Sequence, residues 1–165
     1  LEARGGLEAQ RFQALVVAAM AAAEEEREVL RLALTQAADL EMRLRMARAE
    51  LPPYFALDRL AGDLWLQVHR YDDAHRSYRA AVAREPRDAR AWLGITRAAA
   101  RLEDPDEATR AAATFLTLWA NADVDRPELA AARATAIETP RTALAPRLLL
   151  VGVPSSSIIF SSIAF

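Results

Sequence analysis

The chain of 165 residues contains no cysteine, which excludes disulfides, thiolate zinc sites and a cysteine nucleophile, and leaves its redox compartment open. It contains no lysine either: all 21 basic residues are arginine. A skew that uniform points to a GC-rich coding sequence, and so to a bacterial source, rather than to guanidinium chemistry at every position. Neither sign of charge dominates, because the net charge is −2 and the isoelectric point near 5.8. A nucleic-acid partner, which needs a clustered basic face, is therefore not expected. The five glycines form no phosphate-binding loop and no nucleophile elbow.

Histidine is scarce as well. His69 and His75 fall on either side of an expected inter-helix turn, with Asp72 and Asp73 between them. Imidazole and carboxylate together suit several divalent ions. Turn positions, however, favour Asp as a helix cap and tolerate His on the surface. No metal, no cofactor and no catalytic residue are expected, and the chain reads as non-enzymatic.

What the sequence does have is alanine, its commonest residue, together with many Leu, Arg and Glu. That is the composition of close-packed helices with good intrinsic propensity, and it predicts an all-α fold. The length suits one domain, able to bury roughly 70% of the unfolded surface when fully ordered.

The arrangement repeats. Thirty-four residues separate Asp72-Asp73-Ala74 from Asp106-Glu107-Ala108. A first copy runs through Leu57, Gly62, Trp65, Tyr71, Ala74, Tyr78 and Ala81 to Pro86; a second carries Trp92, Ile95, Ala99, Ala108, Ala112 and Phe115. Small residues such as Gly62 and Ala74 let the two helices of a hairpin approach, and Trp65 and Tyr78 fill the gaps to their neighbours. Pro86 ends the first copy, because proline inside the next helix would lose a hydrogen bond. In Gly62, Trp65, Ala74, Tyr78, Ala81 and Pro86 the chain resembles the tetratricopeptide repeat family. The second copy departs from that pattern with Thr96 for glycine, Ala112 for an aromatic and Ala120 for the closing proline. The Asp125-Arg126-Pro127-Glu128-Leu129 segment is similar to the closing helix of bacterial members.

The resemblance implies a right-handed superhelical stack of antiparallel helix hairpins, an α-solenoid of about three and a half hairpins. Periodicity places helices near 54–68, 71–84, 89–101, 105–119 and 126–138, after a helical hairpin or one long helix over 1–51. In that first region Phe12, Leu15, Val16, Ala19, Met20 and Ala23 form one stripe expected to be core, and Leu30, Ala33, Ala37, Leu40 and Leu44 another. Glu24-Glu25-Glu26 reads as a solvated connection, and Pro52-Pro53 as the break before the first clear repeat. Every helix start offers a cap: Asp104, Pro105 and Glu107 form an N-cap, a first-turn proline and a capping-box acid, and Asp125, Pro127 and Glu128 a similar set. The aromatics Trp65, Tyr71, Tyr78, Trp92, Phe115 and Trp119, and the pair Met42 and Met46, follow the helical period and read as packing residues.

In the family the first helix of each repeat lines the concave surface that receives a partner's peptide. By that resemblance the partner-binding positions are Arg59, Asp63, Leu66 and Gln67 from one repeat, and Arg90, Leu93, Arg97 and Arg101 from the next. The second set is basic and shares one helix face. Guanidinium groups take carboxylates bidentately, so an acidic peptide or a C-terminal carboxylate is the expected partner. Asp63 stands where the family's carboxylate clamp has asparagine, which argues against a chaperone-tail adaptor.

The last eighteen residues, Leu148 to Phe165, carry no charge. With Pro154 and five serines they make a poor spanning helix, so no membrane contact is expected. Their β-branched and aromatic content suits an extended strand docked on an apolar surface, which makes the segment 139–165 a candidate element for homo-oligomer assembly. The chain opens on Leu1 rather than Met, which leaves a removed leader open. A cytoplasmic location is the default expectation, with periplasmic or membrane-associated placement as alternatives.

Overall fold

The computed structural model describes residues 2–47, 56–120 and 126–138. Among them the chain forms seven helices and no strand: α1 (Glu2–Ala23), α2 (Arg27–Met46), α3 (Leu57–Gln67), α4 (Tyr71–Arg84), α5 (Ala89–Arg101), α6 (Pro105–Leu118) and α7 (Pro127–Glu138). Consecutive helices pack on one another, and α1, α3, α5 and α7 also touch in series. The bounds of α4 and α5 coincide with the expected ones, while α6 and α7 are each one residue shorter at one end. Pro52-Pro53, a helix start at 54, an Asp125 cap and the segment 139–165 all fall outside the described residues.

Three turns share one backbone geometry. Glu25, His69 and Glu103 take φ of 58°, 60° and 59°. The amide that follows each of them closes on a carbonyl five residues back: Glu26 on Ala21 at 2.8 Å, Arg70 on Trp65 at 2.9 Å, and Asp104 on Ala99 at 3.0 Å. This is the left-handed C-terminal closure usually given to glycine, which satisfies orphan carbonyls at the helix end. Here it joins α1 to α2, α3 to α4 and α5 to α6, so residues 2–46 form two helices around the Glu24-Glu25-Glu26 connection.

Capping is less uniform than expected. Asp88 Oδ1 accepts from the Ala91 amide at 3.1 Å, and Asp104 Oδ1 accepts from the Glu107 amide at 2.9 Å, with Pro105 in the first turn. The positions before α2, α3 and α4 are Glu26, Ala56 and Arg70, and none supplies a side-chain cap. These side chains lack the short acceptor geometry of Asp or Ser. Glu107 is no capping-box acid either. The Asp104 amide is already taken by Ala99, which frees the Glu107 carboxylate for Arg110 at 3.0 Å and Arg79 at 3.3 Å.

Tyr78, 1% exposed, lies at the centre of the core. A Cβ at Gly62 would meet its ring at 2.6 Å, and one at Gly94 at 2.4 Å. The ring is thus wedged between α3 of its own hairpin and α5 of the next, and both glycines are needed for that approach. In the second hairpin large and small exchange places: Ala112 stands where Tyr78 stands one repeat earlier, and Phe115 where Ala81 does, all four buried. Volume therefore moves one turn along α6, where Phe115 packs on Trp119 with ring centroids 5.1 Å apart. Trp92 Nε1 donates to the Pro86 carbonyl at 2.9 Å, fixing the connection from α4 to α5.

In α1 the expected core stripe is largely reversed. Phe12, Val16 and Met20 are 60%, 42% and 58% exposed, Ala19 and Ala23 are exposed too, and only Leu15 of the six is buried. The buried face is instead Ala14, Leu15, Ala18, Ala21 and Ala22, because small side chains allow α1 a close approach to its neighbours. The α2 stripe, Leu30, Ala33, Ala37, Leu40 and Leu44, is buried as expected. Met42 and Met46 are not packing residues, being 58% and 76% exposed. Glu41 of α2, with only 6% of its side chain exposed, accepts from Arg11 of α1 at 3.0 Å and meets Arg84 of α4 at 3.6 Å, tying the first hairpin to the second.

Candidate functional site

Arg90, Leu93, Arg97 and Arg101 recur at three- and four-residue spacing along α5 and so share one face. Two cavities open along it. The smaller, 190 Å³, is lined by Arg59 and Asp63 of α3, Tyr78 of α4, Arg90, Leu93, Gly94 and Arg97 of α5, Phe115 and Trp119, and Arg126 and Glu128 at α7. The larger, 330 Å³, is bounded by Leu66, His69 and Tyr71, by Leu93, Thr96, Arg97, Ala100 and Arg101, and by Ala131, Ala132 and Thr135 of α7. Leu93 and Arg97 belong to both, so the cavities are two halves of one groove.

The sequence-derived positions therefore gather with one exception. Arg59, Asp63, Arg90, Leu93 and Arg97 line the smaller cavity, and Leu66 and Arg101 join Leu93 and Arg97 in the larger. Gln67 lines neither; its amide points to the carbonyl of Ala22, 3.4 Å away at the end of α1.

The groove's charges are not equivalent. Arg59 Nε lies 3.2 Å from Asp88, and its guanidinium 4.0 Å from Asp63, so it is neutralised locally. Asp63 also accepts a 2.7 Å hydrogen bond from Tyr78 Oη. Burial, reinforced by that bond and by the Asp63 charge, pushes the Tyr78 phenol far above its ordinary range, so it remains a proton donor. Arg101 lies 5.6 Å over the ring of Tyr71, and Arg126 5.6 Å over that of Trp119. Arg90 and Arg97 have no carboxylate partner among the described residues. With Leu93 between them, they are groove cations that have neither a carboxylate nor an aromatic ring as partner among the described residues, whereas Arg101 and Arg126 each have a ring.

The sequence reading missed Arg126, the α7 residues Glu128, Ala131, Ala132 and Thr135, and Gly94, and it took Tyr71 and Trp119 for packing residues where they line the groove. Gly94 carried a readable signal, since glycine inside a helix is costly unless another group approaches closely. The histidines have separate partners: His69 Nδ1 lies 3.0 Å from Tyr71 Oη, and His75 Nε2 3.5 Å from Glu107. Among the described residues no three His, Cys, Asp or Glu side chains converge as metal ligands, and no helix is long and apolar enough to cross a membrane. Comparison with family models, with curated proteins and with solved structures yields no match.

Proposed function

We propose that this chain is a tetratricopeptide-like module whose stack turns as a right-handed superhelix, and that it works by binding a protein partner along the groove of α3, α5 and α7. The observation that carries this reading is the pair Arg90 and Arg97, which face the groove without a carboxylate among the described residues, whereas Arg59 has Asp88. A guanidinium with no carboxylate among the described residues, beside an apolar side chain such as Leu93, suits an acidic segment of a partner, held by bidentate pairs and apolar contact. No chemical step is assigned to the groove; its groups bind and orient.

Selection of random twelve-residue peptides displayed on phage tests the proposal. Enrichment of acidic sequences that bind the chain and lose binding to Arg97→Glu supports it. No enrichment, or enrichment of sequences indifferent to that change, contradicts it.

A further inference from the structure

We infer that the outward face of α1 is a self-association surface, pairing antiparallel with the same face of a second copy about Val16. From Phe12 to Ala23 the helix carries no charged residue. One side of it is buried, and the opposite side presents Phe12, Val16, Val17 and Met20 at 60%, 42%, 40% and 58% exposure. A helix that is apolar all round belongs in an interior, so the free side calls for a cover.

The order of side chains along that side identifies the cover. Ala9, Phe12, Gln13, Val16, Ala19, Met20 and Ala23 are all exposed and lie within about 60° of Val16 around the helix, at 3.6 residues per turn. The sequence is complementary to itself when reversed about Val16. Antiparallel pairing sets Val16 against its counterpart, Phe12 against Met20 in both directions, Gln13 against Ala19, and Ala9 against Ala23. Large side chains then meet long flexible ones, methionine sulfur meets an aromatic ring, and small residues meet small ones at the ends. No charge is buried, because both faces are neutral. A two-fold axis requires this kind of patch, one that fits itself.

A single helix pair is a small interface, at the weak end of specific association, so the dimer depends on concentration.

Sedimentation equilibrium on the intact chain tests this, with helicity monitored by circular dichroism. The weight-average mass is expected to rise from 18.1 kDa towards twice that value with concentration. Val16→Glu and Val16→Arg, at a half-exposed position, should each weaken association about tenfold or more while helicity is kept. An equimolar mixture of the two variants should restore it, because opposite charges then face each other only in the mixed pair. A monomer at every concentration overturns the inference. So does an assembly indifferent to both variants, or one lost instead on truncation after Arg147, which would place the contact elsewhere. The groove variant Arg97→Glu leaves this dimer intact, so the two proposals fail separately.

Discussion

The hydroxyl of Tyr78 on α4 donates a 2.7 Å hydrogen bond to the carboxylate of Asp63 on α3, so one side chain both fills the core and orients a charge in the groove. Tyr78→Phe keeps the ring and deletes the bond. It is expected to cost about 0.5–1.5 kcal/mol, the range for a typical hydrogen bond, because the half-exposed Asp63 carboxylate rehydrates. Tyr78→Ala is expected to cost about 3–5 kcal/mol, since it also opens a cavity. Urea unfolding of the two variants separates the contributions.

Gly62 and Gly94 press on the two sides of that ring. Gly→Ala within a helix ordinarily gains about 1 kcal/mol. Here each added methyl would meet an atom of Tyr78 inside 3 Å, and the ring has a helix behind it in either direction. Gly62→Ala and Gly94→Ala should therefore each destabilise by about 1–3 kcal/mol, the cost of overpacking. Denaturant midpoints above wild type in either variant would contradict the wedge.

Three left-handed residues in the hairpin turns are not glycine. Glu25→Gly and Glu103→Gly should each stabilise by about 1 kcal/mol, because a side chain in that conformation is strained by roughly that amount. For a chain of this size the melting temperature would rise by about 2–4 °C per substitution. His69→Gly should gain less, since it also removes the contact to Tyr71.

Glu107 supplies the pH dependence. Its hydrogen bond to Arg110, with help from Arg79 and His75, holds its pKa below the ordinary 4.5, against the opposing effect of burial. A carboxylate whose pKa is lower folded than unfolded adds stability above the unfolded value and loses it as the pH falls through the folded value. Glu107→Gln is expected to be less stable than wild type at neutral pH, with the difference vanishing in acid below that window. Urea midpoints at several pH values check the sign.

The fold was legible where side-chain size and spacing act locally. The 34-residue interval located α4 and α5 to the residue, because the same turn closes each hairpin. The exposed face of α1 was not legible: hydrophobicity ranks Phe12 and Met20 above Ala14 and Ala18, whereas close helix packing selects the small residues. The groove was half legible. Counting along α3 and α5 found Arg59, Arg90 and Arg97, but whether an arginine is paired depends on the loop residue Asp88 and on contacts that no repeat interval encodes. Gln67 lies outside the groove for a related reason, since α1 offers it a carbonyl.

Arg90 and Arg97 are the groove cations with neither a carboxylate nor a ring as partner among the described residues. The deciding measurement is the affinity of one selected acidic peptide, labelled with fluorescein and followed by anisotropy, for wild type, Arg90→Glu, Arg97→Glu and Arg43→Glu. Arg43 is the control, being an exposed α2 residue paired with Asp39 at 2.9 Å. The account predicts that both groove reversals weaken binding about tenfold or more while the control matches wild type. Equal losses in all three variants, or none in any, would contradict it.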